Sequence, residues 1–157
     1  MSGKLAKEIK QTKPFSSPAE EAILNIQRTA AVLTQMIAEA LKPHGISETQ
    51  YNALRILRGA GSEGLACQEI GARMITTDPD ITRLLDRLEA RRLLTRARST
   101  EDRRVVVSRI TAEGLRLLAS LDQELKELPR RTLGHLGDKR LRVLIGLLER
   151  ARSAPEK

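Results

Sequence analysis

The chain has 157 residues, of which 40% are hydrophobic and 31% charged, a balance typical of one folded, helix-rich domain rather than a disordered chain. No apolar run approaches the roughly 20 residues that span a bilayer, and the basic N-terminus lacks the apolar core of a secretory signal, so we expect a cytoplasmic protein without a membrane partner. The single cysteine, Cys67, excludes an intrachain disulfide framework and a cysteine-rich zinc site.

The net charge of +8 is concentrated in two segments. Residues 1–17 carry four lysines and one glutamate, which predicts a basic, flexible N-terminal arm. The arm could bind phosphate groups or be a soluble tail without a binding role, and the sequence favours neither interpretation. Residues 83–109 carry nine arginines, four acidic residues and no lysine. Because the planar arginine fork pairs well with phosphates and guanine edges, this second segment predicts a nucleic-acid partner.

Two capping boxes predict the first long helices. Residues 17–20 place a proline at the first helical position, and an apolar stripe from Ile26 to Leu41 recurs at steps of three and four residues. Residues 18–45 are therefore expected to form one helix with its C-terminal stop, and residues 47–50 to open a shorter second helix.

Two short helices with a tight connection follow a glycine-rich loop. The first is predicted over about residues 67–74, and the second begins at the capping residues 77–80 and continues with apolar side chains facing inward. About three residues, 75–77, join them, which predicts a helix-turn-helix. The inward residues of the second helix are Ile81, Leu84, Leu85 and Leu88.

A β-hairpin is predicted directly after these helices. Residues 94–98 and 105–110 have the composition of short strands, and the polar turn 99–104 separates them. Thr111 is expected to cap a long helix that stops at Pro129, and a last helix is expected from about Asp138. The predicted fold is thus mainly α with a small β-hairpin wing, a winged helix-turn-helix whose helix enters the major groove of DNA.

The polar face of the second helix supplies the first candidate contacts. Thr82 and Arg83 lie near its N-terminal end, where they are expected to meet base edges and phosphates, and Arg87 follows one turn later. Asp86 is expected to orient Arg83 or Arg87 rather than to meet DNA.

The turn of the hairpin supplies the second group of candidates. A narrow minor groove concentrates negative potential and attracts an inserted arginine, for which Arg104 is the candidate. An arginine held by a neighbouring carboxylate has already lost part of its side-chain entropy, so Asp102 is expected to brace Arg104.

These residues resemble a known family. TRLLDRLE at residues 82–89, DRR at 102–104 and ITAEG at 110–114 are similar to the recognition helix, wing tip and following helix entry of the MarR family of bacterial transcription regulators. The resemblance implies a homodimer in which residues 18–45 and 112–157 form the dimerisation helices and residues 46–111 bind a pseudo-palindromic operator in double-stranded DNA. It also implies DNA contacts from Arg103 beside Asp102 and Arg104.

The resemblance implies regulation as well. Family members usually repress, and many release DNA when a small phenolic or other aromatic effector binds between the DNA-binding lobe and the dimer helices. It assigns no pocket residue, so the effector site stays unknown at this stage.

Two positions depart from the family pattern. Arg92 stands where the family often has glycine after the recognition helix. A left-handed conformation costs a non-glycine residue on the order of 1 kcal/mol, so a different helix end is expected. Asp80 stands where a small or hydroxyl residue is common. Its carboxylate is favourable as a helix cap but repulsive toward phosphate, so it is expected to narrow sequence preference or weaken binding.

Other function classes have less support. A redox sensor through Cys67 is an alternative, although a small core residue is the favoured interpretation. A winged-helix dimer acting as a protein-interaction module is another. No metalloprotease motif, nucleotide-binding glycine loop or plausible triad is present, so we expect no catalytic residue, cofactor or metal, and His44 and His135 are expected to be capping or solvated residues. Phe15 and Tyr51, the only aromatic residues, are too few for single-strand stacking.

Overall fold

A computed structural model describes residues 3–77 and 79–153, which form seven α-helices and a three-stranded antiparallel sheet. None of the helices in these two ranges is long and apolar enough to cross a bilayer. The mainly helical fold with a small β wing is confirmed. The elements in chain order are α1 Lys4–Glu8, α2 Pro18–Leu41, α3 Glu48–Ala60, β1 Leu65–Ala66, α4 Cys67–Arg73, α5 Ile81–Ala90, β2 Leu94–Arg98, β3 Val106–Ile110, α6 Ala112–Leu133 and α7 Gly137–Arg152.

The long helices α2 and α3 begin where their caps were predicted. Ser17 Oγ accepts a hydrogen bond from the backbone N–H of Glu20 at 3.2 Å. At the start of α3, Ser47 Oγ accepts from the N–H of Gln50 at 3.2 Å, and Gln50 Oε1 accepts from the N–H of Ser47 at 3.1 Å. Each cap satisfies backbone donors that have no partner within the helix.

The N-terminal segment differs from the predicted flexible arm. Residues Lys4–Glu8 form the short helix α1, in which Leu5 and Ala6 are buried. Glu8 also lies 3.9 Å from Arg28 Nε of α2. The prediction counted the lysines and gave no weight to the two apolar residues among them, whose burial holds the segment against α2. Residues 1–2 lie outside the described residues.

One hydrophobic core holds α5 in place. The buried side chains of α5 meet those of α3, α6 and β2, so the helix is fixed along its apolar face. The predicted inward residues are confirmed, since Leu84, Leu85 and Leu88 are buried and Ile81 is half-buried. Burial of each leucine contributes about 1.5–3 kcal/mol. The other fully buried leucines and isoleucine are Leu41, Leu54, Leu57, Ile70, Leu94, Leu118 and Leu121.

The connection between α4 and α5 is longer than the predicted three residues. Met74 already has an extended backbone, and Asp80 rather than Thr77 caps α5 by accepting from the N–H of Arg83 at 3.2 Å. The buried side chain of Asn52 in α3 accepts from the N–H of Ile75 at 2.9 Å, which secures the middle of the connection. Asp78, one of the predicted capping residues, lies outside the described residues.

The sheet contains one strand that the sequence did not predict. β3 lies in the centre, β2 follows the predicted bounds, and β3 starts one residue later than predicted. The additional strand β1 pairs Leu65 with Ser108 and Ala66 with Val107. Gly64 precedes it with φ of 69°, and a Cβ there would overlap the carbonyl oxygen of Ser108. Glycine therefore permits the close approach of β1 to β3.

The prediction that α6 stops at Pro129 is wrong, because the helix continues to Leu133. Proline removes one backbone hydrogen bond, but Leu128 beside it is buried and keeps the helix packed. The hydroxyl of Thr132 donates to the carbonyl oxygens of Leu128 at 2.9 Å and of Pro129 at 3.1 Å. The last helix α7 begins at Gly137, close to the prediction, and residues 154–157 lie outside the described residues.

Arg92 ends the recognition helix in the way that a glycine would. Its φ is 58°, its N–H donates to the Glu89 carbonyl at 2.8 Å, and the N–H of Leu93 donates to the Leu88 carbonyl at 3.0 Å. This is the Schellman arrangement, here with a non-glycine residue in the left-handed position. The hydroxyl of Thr111 donates to the Arg92 carbonyl at 2.7 Å, so the departure from glycine leaves the helix end intact.

Candidate DNA interface

The exposed face of α5 carries the side chains that were predicted for it. Thr82, Arg83, Asp86 and Arg87 are all exposed, opposite the buried leucines. Arg83 Nε lies 3.6 Å from Asp80 Oδ2, and the two side chains are 69% and 56% exposed. The helix therefore presents two arginines to solvent, one of them beside a carboxylate.

The N-terminus of α3 adjoins this face. Ser47, Thr49 and Gln50 line a shallow depression of about 260 Å³ together with Asp80, Arg83, Leu84 and Arg87 of the α5 region. The structure thus brings Arg83 and Arg87 to one surface with the polar start of a second helix. The N-terminal end of α3 and the two arginines favour negative charge at this surface, and the carboxylate of Asp80 at its edge opposes it.

The turn of the hairpin is held by a set of local hydrogen bonds. Ser99 N–H donates to the Val105 carbonyl at 2.8 Å, and Val105 N–H donates to the Asp102 carbonyl at 3.0 Å. Arg98 Nη1 donates to the carbonyl of Arg103 at 2.8 Å. The tip that carries Arg103 and Arg104 is therefore ordered by its own backbone, and both side chains are exposed.

Asp102 braces the turn differently from the prediction. Its carboxylate oxygen Oδ1 accepts from the backbone N–H of Arg104 at 2.9 Å, not from the guanidinium group. An aspartate side chain reaches the amide two residues on more easily than it reaches a long side chain, which is the usual geometry of such a turn. Asp102 thus fixes where the Arg104 side chain starts and leaves its guanidinium free to reach DNA.

Arg96 joins the hairpin to the recognition helix. Its Nε and Nη2 donate to Glu89 Oε2 at 2.9 Å and 2.7 Å, Nη2 also donates to Asp86 Oδ1, and its backbone N–H donates to Glu89 Oε1 at 3.1 Å. We call these three residues the Arg96 cluster. The Glu89 hydrogen bond is the main cause of a raised pKa for Arg96, so the group keeps its charge. The expectation that Asp86 orients Arg83 or Arg87 is wrong, because Asp86 binds Arg96.

Apart from Arg92 at the end of α5, the arginines of residues 83–109 divide into two groups of four. Besides Arg96 and Arg98, Arg91 donates to the Gly45 carbonyl at 2.6 Å and Arg109 donates to the Ser62 carbonyl at 2.8 Å. These four stabilise the fold, so the concentration of arginine is only partly a DNA-binding signal. The predicted contacts Arg83, Arg87, Arg103 and Arg104 are exposed on α5 and the hairpin tip.

Cys67 lies beside the recognition helix. It is the first residue of α4, is half-buried against the core, and its Sγ lies 3.9 Å from the hydroxyl of Thr82. Its redox role stays a prediction. His44 and His135 lie in short 3-10 turns, and the described part of the chain contains no group of three or more His, Cys, Asp or Glu that could hold a metal ion.

The helix pair, the three-stranded sheet and the exposed arginines define a winged helix-turn-helix protein. The model of the MarR family matches residues 46–106. A crystal structure of a MarR transcription factor from Planctomyces limnophilus is 40% identical, with a TM-score of 0.66, over 87% of this chain and 98% of that one. The chain therefore belongs to the MarR family, whose members are transcription regulators and not enzymes.

Two further proteins are similar over parts of the chain. The helix-turn-helix transcriptional regulator MhqR of Bacillus subtilis is 37% identical over 75 residues, which are 48% of this chain and 50% of MhqR. The chain thus matches half the length of that relative. The crystal structure of a MepR–DNA complex from S. aureus shares the fold, with a TM-score of 0.74 and 20% identity over 80% of this chain and 92% of that one.

Proposed function

We propose that the chain is a sequence-specific transcription regulator that binds duplex DNA as a homodimer. One observation carries this proposal: the exposed arginines of α5 and the ordered tip of the hairpin belong to elements that the Arg96 cluster ties together. Two recognition elements with a fixed relation to each other suit a rigid, regular partner such as a DNA duplex. The MepR–DNA complex shows that a protein of the same fold binds DNA.

In this proposal, α5 enters the major groove. Thr82, Arg83 and Arg87 contact base edges and phosphates, and an arginine that pairs with O6 and N7 of guanine supplies sequence preference. Arg104 enters the adjacent minor groove, where the ordered turn limits the entropy lost on insertion, and Arg103 contacts phosphate.

A homodimer is supported by apolar side chains on the terminal helices. Residues on α2 and α7 that the winged-helix core does not cover are about half exposed, and a second copy would bury them. They are Ile23 at 56%, Ile26 at 44%, Val32 at 46%, Val143 at 59%, Ile145 at 53% and Leu147 at 51%.

The dimer is tested by its mass in solution. Because the single chain is 17.5 kDa, sedimentation equilibrium at micromolar concentration is expected to give about twice that mass. An Ile145→Asp variant places a charge in the proposed interface and is expected to shift the mass toward the monomer. A wild-type chain that sediments as a monomer at the highest soluble concentration would contradict the dimer.

Regulation by a small aromatic effector is part of the proposal. A cavity of about 190 Å³ lies between α2, α3, α6 and the connection before α5. Its lining combines apolar groups such as Ile37 and Leu125 with Tyr51 and with the opposite charges of Arg55 and Glu48, which suits an aromatic ring carrying a polar group. Asn52 lines the same cavity and binds the N–H of Ile75, so an occupant would act on the segment that leads into α5.

Repression is the proposed direction of control, as is usual in the family. A dimer that covers an operator near a promoter excludes polymerase from it, and release by the effector restores transcription. Because the bacterial chromosome is the partner, we propose that the protein works in the cytoplasm.

Replacing Arg83 by alanine is expected to lower the affinity for operator DNA about 5- to 50-fold and the affinity for random duplex DNA much less. The reason is that a base contact supports only the correct sequence, whereas phosphate contacts support every sequence. Fluorescence anisotropy with the two duplexes at one salt concentration measures the difference. Arg140→Ala on α7 removes the same charge outside α5 and is the matched control. Equal losses of affinity for both duplexes in Arg83→Ala would show that Arg83 contacts only phosphate.

A further inference from the structure

Asp80 places negative charge at the edge of the surface that we propose for DNA. Its Oδ1 accepts from the backbone N–H of Arg83 at 3.2 Å, and its Oδ2 lies 3.6 Å from Arg83 Nε. Both side chains are more than half exposed. The carboxylate therefore acts on the same two groups, a helix N-terminal N–H and a guanidinium, that would otherwise bind a phosphate.

The contact with Nε determines what Arg83 can still bind. A guanidinium has five N–H donors, and Nε carries only one of them. The carboxylate is near Nε, so the two terminal nitrogens remain available as a fork, which is the geometry that pairs with O6 and N7 of guanine. At 3.6 Å between two exposed side chains the ion pair is a weak restraint, and it removes part of the rotamer freedom of Arg83 before DNA binds.

The same carboxylate opposes binding that depends on phosphates alone. A non-specific complex is held by phosphate contacts, and the negative charge of Asp80 repels each phosphate that approaches the start of α5. An operator complex offsets that repulsion with the base contact of Arg83. A random duplex offers no such compensation.

We propose that Asp80 is a specificity-determining residue that positions Arg83 for base contact and weakens binding to random DNA. This inference rests on the proposed function and adds to it a residue that does not itself contact a base. Asp80 raises discrimination by lowering the affinity for the wrong sequences, at little cost to the operator.

Asp80→Asn is the variant that tests this role. Asparagine caps a helix as well as aspartate does, so α5 keeps its start while the charge is removed. Affinities for the operator and for a scrambled duplex of equal length are measured by fluorescence anisotropy at several salt concentrations. Random-duplex affinity is expected to rise about fivefold to tenfold and operator affinity by less than about twofold, so their ratio falls.

Two controls separate this effect from simpler ones. Asp138→Asn, in the first turn of α7, makes the same change in net charge outside the winged helix and is expected to leave the ratio unchanged. Asp80→Asn in an Arg83→Ala background tests the coupling: without Arg83 only the phosphate repulsion remains, so the substitution is expected to raise operator affinity as much as random-duplex affinity. The thermal unfolding midpoint shows whether the cap is retained.

The outcomes distinguish this inference from the proposed function. A wild-type protein that binds the two duplexes equally overturns the proposed function and the inference together. A wild-type protein that prefers the operator, with an Asp80→Asn variant that keeps the same ratio, overturns only the inference. An operator affinity that rises by less than about twofold on Asp80→Asn in the Arg83→Ala background overturns the positioning of Arg83.

Discussion

Replacing Arg104 by alanine is expected to weaken operator binding about 10- to 100-fold. Asp102 and Ser99 order the backbone of the turn, so the guanidinium enters the minor groove from a fixed starting point, and such a contact contributes about 1–3 kcal/mol. The Arg104 side chain is exposed, so the free energy of unfolding is expected to change by less than about 0.5 kcal/mol. Anisotropy titrations and thermal unfolding measure the two quantities.

An Arg104→Lys variant is the matched control for charge. Lysine keeps the positive charge but not the planar fork, so an intermediate loss of affinity is expected. Operator affinity equal to wild type in the alanine variant would remove the hairpin tip from the mechanism.

Replacing Arg96 by methionine is expected to lower both stability and operator affinity. The substitution leaves the Glu89 and Asp86 carboxylates close together without their shared cation, and the side chain of Arg96 is only 23% exposed. We expect a loss of about 1–2 kcal/mol in the free energy of unfolding, because the two carboxylates lose their shared cation but remain partly exposed to solvent. Operator affinity is expected to fall because α5 and the hairpin are no longer tied together. Chemical denaturation and anisotropy measure the two effects.

Two further variants make the Arg96 prediction specific. Arg109→Met on β3 removes one hydrogen bond to the Ser62 carbonyl and is expected to cost less than half as much stability. Adding Glu89→Leu to Arg96→Met removes the unpaired carboxylate nearest to the site and is expected to restore part of the stability. An Arg96→Met variant no less stable than Arg109→Met would contradict a connecting role for Arg96.

The parts of the fold that were predicted correctly depend on interactions between residues close together in the sequence. The starts of α2 and α3 follow from caps within four residues, and the buried face of α5 follows from the spacing of its leucines. The candidate DNA contacts lie on exposed faces of α5 and the hairpin, as predicted, because a helical period that buries one face exposes the other.

The features that were missed depend on contacts between distant residues. Arg91 binds the carbonyl of Gly45, 46 residues away, and Arg109 binds that of Ser62, 47 residues away, so composition alone could not separate structural from exposed arginines. The strand β1 has two residues, too few to show an alternating pattern. The continuation of α6 past Pro129 depends on the burial of Leu128, which the local rule for proline does not include.

The partner of Asp86 was predicted wrongly because only residues of the same helix were considered. Asp86 lies three residues after Arg83, a helix spacing that favours an ion pair between them. The structure instead places Arg96 of β2 against Asp86 and Glu89, because the hairpin folds back along α5. The pairing could be predicted from the sequence only by considering Asp86 and Glu89 as partners for an arginine of the following strand.

The measurement that tests sequence-specific DNA binding most directly is recovery of genomic fragments by the purified full-length protein at near-physiological salt, with Arg104→Ala in parallel. We expect the wild-type protein to enrich a pseudo-palindromic duplex site and the variant to enrich it poorly. Recovery of fragments without a common sequence by a folded wild-type protein would contradict the proposed regulator while leaving the winged-helix fold in place.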